Sequence, residues 1–341
     1  MTRGDKADIY SRRKILHGTR DQKSFLTRET PDARAMEQIK IGTRGSKLAL
    51  QQSAWVRQRI AERHPDLFIE VVRIRTTGDM ITNVPLAQAG GKGLFVKEIE
   101  EALLRREIDL AVHSMKDVPT DLPTGLHLGA ITEREDPRDV LISRKGQGLG
   151  QLPRGARIGT SSLRRRAQLF AINPEWEIIP LRGNLDTRIK RLETEGLDAV
   201  ILAAAGVRRM GLEERITETL PFTTMLPAVG QGALGIECRQ EGGINELIAF
   251  LRHPESTMAV QGERSFLRRL GGGCQVPIAA YGGVEKKQLH LRGLVARLDG
   301  SRLFRAEAQG DDPETVGELL AEELLAQGAE EVLEEIYAGM P

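Results

Sequence analysis

The sequence predicts an α/β protein: two similar lobes with a cleft between them, followed by a smaller α+β unit. Strands alternate with helices from residue 39 onward, the design of the first unit restarts near residue 157, and the composition changes at about Pro254. A chain of 341 residues exceeds one ordinary core, so several domains are expected. The sequence places the first lobe at 37–133 and 231–250, the second at 134–230, and the last unit at 254–341.

Residues 1–36 carry no apolar periodicity and are expected to form a flexible extension. "SRRKIL" (Ser11–Leu16) imitates a twin-arginine export signal, but polar residues follow it where an apolar stretch is required. Asp5, Asp8, Asp21 and Glu29 speak against an organellar transit peptide. Ile39–Thr43 reads as a strand. Ser46 then caps a helix whose Leu48, Trp55, Val56 and Ile60 recur at helical spacing, closed by Pro65. "LFIEVVRIRTTGD" is the next strand, "VKEIEEALLRREI" a helix and "DLAVHSM" a strand, which together predict a largely parallel sheet. "RIGTSSLRRRAQLFAIN" repeats the first design: Ile158-Gly159-Thr160 matches Ile41-Gly42-Thr43, and both lead through serine into a helix. "EIIPLRGNLDTRIKRLETEG" and the strand "DAVILAAAG" continue the alternation, and "ALGIEC" reads as a further strand. The last unit closes on the helix "PETVGELLAEELLAQGAEEVLEEIYAG", which Gly328 either interrupts or breaks.

Composition excludes several classes of function. A net charge of +1 gives no global attraction to nucleic acid or membrane, and an aromatic content of 4% gives no base-stacking platform. No apolar run reaches the length of a membrane span. Cys238 and Cys274 make no disulfide framework, which fits a reducing cytoplasm. The six histidines form no close ligand pair, so no metal site is expected. GxxxxGK[ST] and GxGxxG are absent, so nucleotide binding has little support.

Local chemistry is concentrated at strand ends. In "GTSSLRRRAQL", Thr160, Ser161 and Ser162 open a helix, and Arg164, Arg165 and Arg166 fall in its first turns, the end the helix dipole makes unfavourable for cations. A bound anion would complete such a site, although a solvated basic face is the alternative. The feature recurs: Arg44 and Ser46 stand at the earlier helix start, Arg182 and Arg188 flank another, and Arg208 and Arg209 follow a strand. Ligands of open α/β sheets bind at the carboxyl ends of strands, so these arginines predict a cleft for a carboxylate or phosphate polyanion. Lys92 in "GGKGLF" is available to the same anion. In "DLAVHSMKDVP", Asp117 beside Lys116 is the best acid/base candidate, since a carboxylate in a cationic cleft can stabilise a cationic intermediate. Cys238 lies in an apolar strand as a small buried hydrophobe. Cys274, in "LGGGCQVP", lies on bare backbone with no histidine placed to activate it, which leaves an inert thiol or a covalent anchor. On these grounds alone an anion receptor and a thiol acyltransferase stay in contention.

In chain order, "TRGSKLAL", "GGKGLF", "AVHSMKDVP", "EREDPRD", "GTSSLRRRAQL", "LRGN" with "TR", "LPAVGQGA" and "GGCQVP" resemble the porphobilinogen deaminase (hydroxymethylbilane synthase) family over about residues 39–338. Residues 1 to about 36 have no counterpart in it. The resemblance implies two lobes of the type II periplasmic-binding-protein kind and a third domain carrying the cofactor cysteine. It implies a transferase of tetrapyrrole biosynthesis that joins four porphobilinogen molecules head to tail with loss of ammonia, primed by a dipyrromethane cofactor on a thioether to Cys274. By motif, Asp117 is the catalytic residue. Ser114, Lys116, Asp117, Thr160, Ser162, Arg164, Arg165 and Arg188 would hold the cofactor. Arg44, Ser46, Lys92, Arg182, Arg209 and Gln231 would hold substrate, whose rings each carry an acetate and a propionate. The partner expected is this small molecule alone, with no nucleic acid or membrane, and the chain is expected to be a cytoplasmic monomer.

Overall fold

A computed structural model describes residues 36–80, 93, 95–272 and 276–338, with 79 and 80 as backbone only. The chain begins with β1 (Gln38–Thr43), α1 (Lys47–Arg63), β2 (Phe68–Arg73), the single turn α2 (Thr77–Met80), α3 (Lys97–Leu104), β3 (Leu110–Ser114) and β4 (Leu126–Ile131). Ser46 caps α1 as expected, its hydroxyl accepting from the Ala49 N–H at 3.3 Å. The buried stripe of α1 is Ala49, Gln52, Ser53, Val56 and Ile60. Trp55 does not join it and is 43% exposed, because one step along a helix rotates a side chain about 100° off the stripe. Helix α3 ends earlier than its sequence suggests: Arg106 takes φ 60°, and Glu107 N–H turns back to the Ala102 carbonyl.

From β4 the chain crosses into a second sheet with β5 (Asp139–Ser143), β6 (Arg157–Gly159), α4 (Leu163–Ile172), β7 (Glu177–Ile179), α5 (Leu185–Thr194), β8 (Ala199–Ala203), α6 (Ala204–Arg209) and β9 (Glu218–Thr219). The strand expected through Gly206 stops at Ala203, and the buried Ala204, Ala205 and Gly206 begin α6. The chain then returns to the first sheet as β10 (Leu234–Arg239), followed by α7 (Ile244–Leu247). The strand orders are β2-β1-β3-β10-β4 and β7-β6-β8-β5-β9. Both sheets are mixed, which corrects the largely parallel expectation: β10 runs antiparallel to β3 and β4, and β5 to β8 and β9. A strand arriving from the other lobe enters at the inter-lobe end, where the parallel strands finish, and so runs against them.

The two crossings touch. Gly232 takes φ 95°, and a Cβ there would lie 2.3 Å from the Glu135 carbonyl oxygen, so only glycine fits. The last unit opens with α8 (Pro254–Arg269), continues as the antiparallel meander β11 (Ile278–Glu285), β12 (Gln288–Ala296) and β13 (Leu303–Gly310), and ends with α9 (Pro313–Leu324) and α10 (Glu330–Ala338). Gly328 at φ 98° breaks the terminal helix into these two. Phe266, Leu289, Leu291, Val295 and Leu320 fill this core, each contributing roughly 1.5–3 kcal/mol by burial. Glu263 of α8 fastens the unit to both crossings. Its buried carboxylate accepts from Arg134 Nη1 at 2.6 Å, Gly230 N–H at 2.6 Å and Gly282 N–H at 2.7 Å.

Candidate active site

The end of β3 forms one wall. A single 3-10 turn, Met115–Asp117, follows the strand, and Met115, 2% exposed, is its anchor. With Met115 buried, Ser114, Lys116 and Asp117 stay half-buried. Ser114 Oγ accepts from Gln52 Nε2 of α1 at 2.9 Å. Arg44, Ser46, Gln52, Phe95, Ser114 and Asp117 line one recess, and the Arg44 guanidinium lies 4.1 Å over the Phe95 ring. Arg264 of α8 donates to the carbonyls of Val118, Pro119 and Thr120, at 3.1, 2.6 and 3.0 Å. It therefore fixes the backbone that leaves Asp117.

The start of α4 forms the opposite wall. Ser162 caps the helix, accepting from the Arg165 N–H at 3.4 Å, and the buried Thr160 Oγ1 accepts from the Ser162 N–H at 3.2 Å. Arg164 and Arg165 are buried and meet a carboxylate of the chain itself, Asp139 at the start of β5: Arg164 Nη1 lies 2.7 Å from Oδ2, and Arg165 Nη2 lies 2.6 Å from Oδ1. The anion that this helix start calls for is thus partly supplied from within. Arg166 alone is the solvated basic residue, lying 5.3 Å over Phe170. Gln231, 1% exposed, donates to Asp139 Oδ1 at 3.0 Å and to the Pro137 carbonyl at 2.6 Å.

Cations of both lobes crowd together here. Burial, together with Arg165 and Arg164, pushes the Lys116 ammonium down to about 8, while Asp117 and Asp139 oppose the shift. Burial and Arg165, joined by Arg182 and Arg191, push Arg188 down to about 10 against Asp117. Against its own burial, Arg164 and Arg165 hold the Asp139 carboxyl below the ordinary carboxylate range. Arg209, lowered by burial, donates to the Gly232 carbonyl at 2.7 Å. Lys116, Arg164, Arg165, Arg182 and Arg188 outnumber Asp117 and Asp139, an excess buried at Arg164 and Arg165 and half-buried at the others, which suits a ligand carrying several carboxylates.

Residues 39–244 match the family model described as "Porphobilinogen deaminase, dipyromethane cofactor binding domain", and residues 257–326 match that of the porphobilinogen deaminase C-terminal domain. The chain belongs to the porphobilinogen deaminase family. A porphobilinogen deaminase of Geobacter metallireducens is 55% identical over 306 residues, covering 89% of this chain and 96% of the relative. Those of Pelobacter propionicus and Carboxydothermus hydrogenoformans are 54% and 52% identical over 303 residues, each covering 88% of this chain and 97% of the relative. Among solved structures, the methionine-binding protein MetQ is 15% identical, covering 65% of this chain and 92% of its own, with a TM-score of 0.42. The dipyrromethane cofactor of this family carries carboxylates, and the cationic excess between the lobes fits it.

Of the residues the motifs single out, the structure brings Lys116 into electrostatic reach of Arg164 and Arg165 of the other lobe, and Asp117 into that of Arg188, while Ser114 pairs with Gln52 of its own lobe. Lys92 and Cys274 lie outside the described residues. The described flanks of Cys274 are the end of α8 and the start of β11. Cys238 is buried 3.5 Å from His127 Nε2, but burial pushes its thiol up to about 11, so it stays a protonated core thiol. Among the described residues no cluster of His, Cys, Asp and Glu could hold a metal ion, and no helix is long and apolar enough to cross a membrane. Sequence reasoning missed Asp139 and Gln52. The only signal for Asp139 was its place at the end of "EREDPRD".

Behind the Asp117 wall, His113 Nε2 lies 2.9 Å from Glu237 Oε2, both side chains buried. Burial and Glu237 push Glu100 of α3 up from 4.5 to about 7, with His113 opposing. A carboxyl raised by folding holds its proton more tightly in the folded state. The stability this gives is complete below about pH 4.5 and is lost as pH rises through about 7. Glu100→Gln should therefore gain stability relative to the parent between pH 5 and 8, on the order of 2–3 kcal/mol, read by urea unfolding across that range. Parallel pH profiles of the two proteins would refute it.

Proposed function

We propose that this protein condenses four porphobilinogen molecules head to tail into hydroxymethylbilane, releasing ammonia at each condensation, in the cytoplasm and as a monomer. Asp117 set within a partly buried excess of cations, where the ends of two lobes meet, carries the reading. The dipyrromethane cofactor, held by a thioether to Cys274, supplies the starting end of the growing chain.

Ser114, Lys116, Thr160, Ser162, Arg164, Arg165 and Arg188 hold cofactor carboxylates in this reading. Arg44, Ser46, Lys92, Arg182 and Arg209 receive those of the incoming ring, and Gln231 acts through Asp139. Arg44 and Ser46 line the same recess as Ser114 and Asp117, so in this reading the cofactor and the incoming ring meet there. The carboxylate of Asp117 accepts a pyrrole N–H and stabilises the positive charge that develops on the substrate as its carbon–nitrogen bond breaks and ammonia leaves with the bonding pair. The arginines orient the ring through its two carboxylates, which brings reacting carbons together without taking part in the bond changes. The domains in this reading are 37–133 with 231–250, 134–230, and 254–341.

The test is to incubate the purified chain with porphobilinogen and follow its loss, ammonia release and the linear product. One ammonia per porphobilinogen consumed is expected. Binding without consumption would make the protein a receptor and overturn the reading.

A further inference from the structure

Asp139 is fully buried and opens β5, at the point where the chain has just crossed between lobes. Its carboxylate gathers three side chains from two directions. Oδ2 accepts from Arg164 Nη1 at 2.7 Å. Oδ1 accepts from Arg165 Nη2 at 2.6 Å, Arg165 Nε at 3.1 Å and Gln231 Nε2 at 3.0 Å. Gln231 belongs to the return crossing and also donates to Pro137 on the outward one. One carboxylate thus ties both crossings to the start of α4.

The consequences for the two arginines differ. Arg164 makes both of its contacts through Nη1, which also donates to the Leu226 carbonyl at 2.5 Å, while its Nε is buried with no partner among the described residues, so this guanidinium is held at one corner only. Arg165 commits its Nε/Nη2 edge to Asp139 and Nη1 to the Ile201 carbonyl at 2.9 Å. Those contacts use three of its five N–H groups, and the remainder stay available on a guanidinium that Lys116 and Arg188 both sense. A guanidinium gripped along one edge cannot rotate, so its other N–H groups have a set direction before any ligand arrives. Buried ion pairs add little net stability over apolar packing, and their best-attested use is to fix geometry.

We propose that Asp139 is a positioning residue: it orients Arg165, through the arginine pair and both inter-lobe crossings, to receive a carboxylate of the pyrrole chain. This rests on the function proposed above, so the parent protein is assayed first. A parent without two pyrrole units in its intact mass, or inactive on porphobilinogen, would sink that function and this role with it, whereas a loaded and active parent leaves the variants to decide the role of Asp139 alone.

Asp139→Asn keeps the shape and removes the charge that grips both forks. In a variant that stays folded by near-ultraviolet circular dichroism, loading with two pyrrole units should fall about ten- to a hundredfold. KM of the loaded fraction should rise by a similar factor, while kcat stays within a factor of a few, because Asp117 is untouched. A second variant, Asp139→Glu, keeps the charge and guards against misfolding of the first. If Asp139 positions Arg165, folded Asp139→Glu loads better than Asp139→Asn. Normal loading and KM in folded Asp139→Asn, or loading of folded Asp139→Glu no better than that of Asp139→Asn, would overturn the proposal, and so would failure of both to fold, which would make Asp139 structural only.

Discussion

Asp117→Asn should fold like the parent and lose about 10²–10⁴ of its rate on porphobilinogen. The fold is safe because the turn is anchored by its neighbours: Met115 is buried, and Arg264 holds the three carbonyls that follow. The rate suffers because an amide of the same shape carries no negative charge for the developing cation. A second effect follows from the same charge. Asp117 raises the pKa of both Lys116 and Arg188 against burial, so its loss lowers both further. Lys116 is cationic below its pKa, already down at about 8, so in the variant its charge is lost at a lower pH. Residual carboxylate binding should then weaken nearer neutrality than in the parent. Initial rates and substrate affinity measured from pH 6 to 9 check both effects, and activity within a few-fold of the parent would remove Asp117 from the chemistry.

Cys274→Ser should yield a chain lighter than the parent by two linked pyrrole units, with turnover reduced to background. A hydroxyl does not form the thioether, and no other cysteine can substitute. Cys238, the remaining one, is buried with its thiol pushed up to about 11, so at neutral pH it supplies almost no thiolate. Cys238→Ala is the control and should keep the full mass. Intact mass spectrometry of the three proteins settles the anchor: two pyrrole units retained on Cys274→Ser would place it elsewhere.

Local signals were enough for much of this. The repeated strand, Gly-Thr, serine and helix design marked two related lobes because period and capping are properties of a few adjacent residues. Ser46 and Ser162 cap α1 and α4 for that reason. The Asp117 turn and the basic helix starts were legible as residue types at strand ends. Trp55 was misplaced because three or four apolar residues at helical spacing do not say which of them faces a neighbour. The two reversed strands were missed because β5 and β10 look like any other buried strand in sequence, and their direction follows from the side on which the chain re-enters the sheet.

The sequence by itself determined the alternation of elements, the family and the residue types of the cleft. Tertiary structure alone decided what those residues do to one another. The basic run at the start of α4 looked like a demand for a ligand, and part of the answer is Asp139, 25 residues away from Arg164 in the chain. Whether a buried cation is matched depends on which carboxylate lies within a few ångströms, and Coulomb energy follows distance in space, to which sequence separation gives no guide.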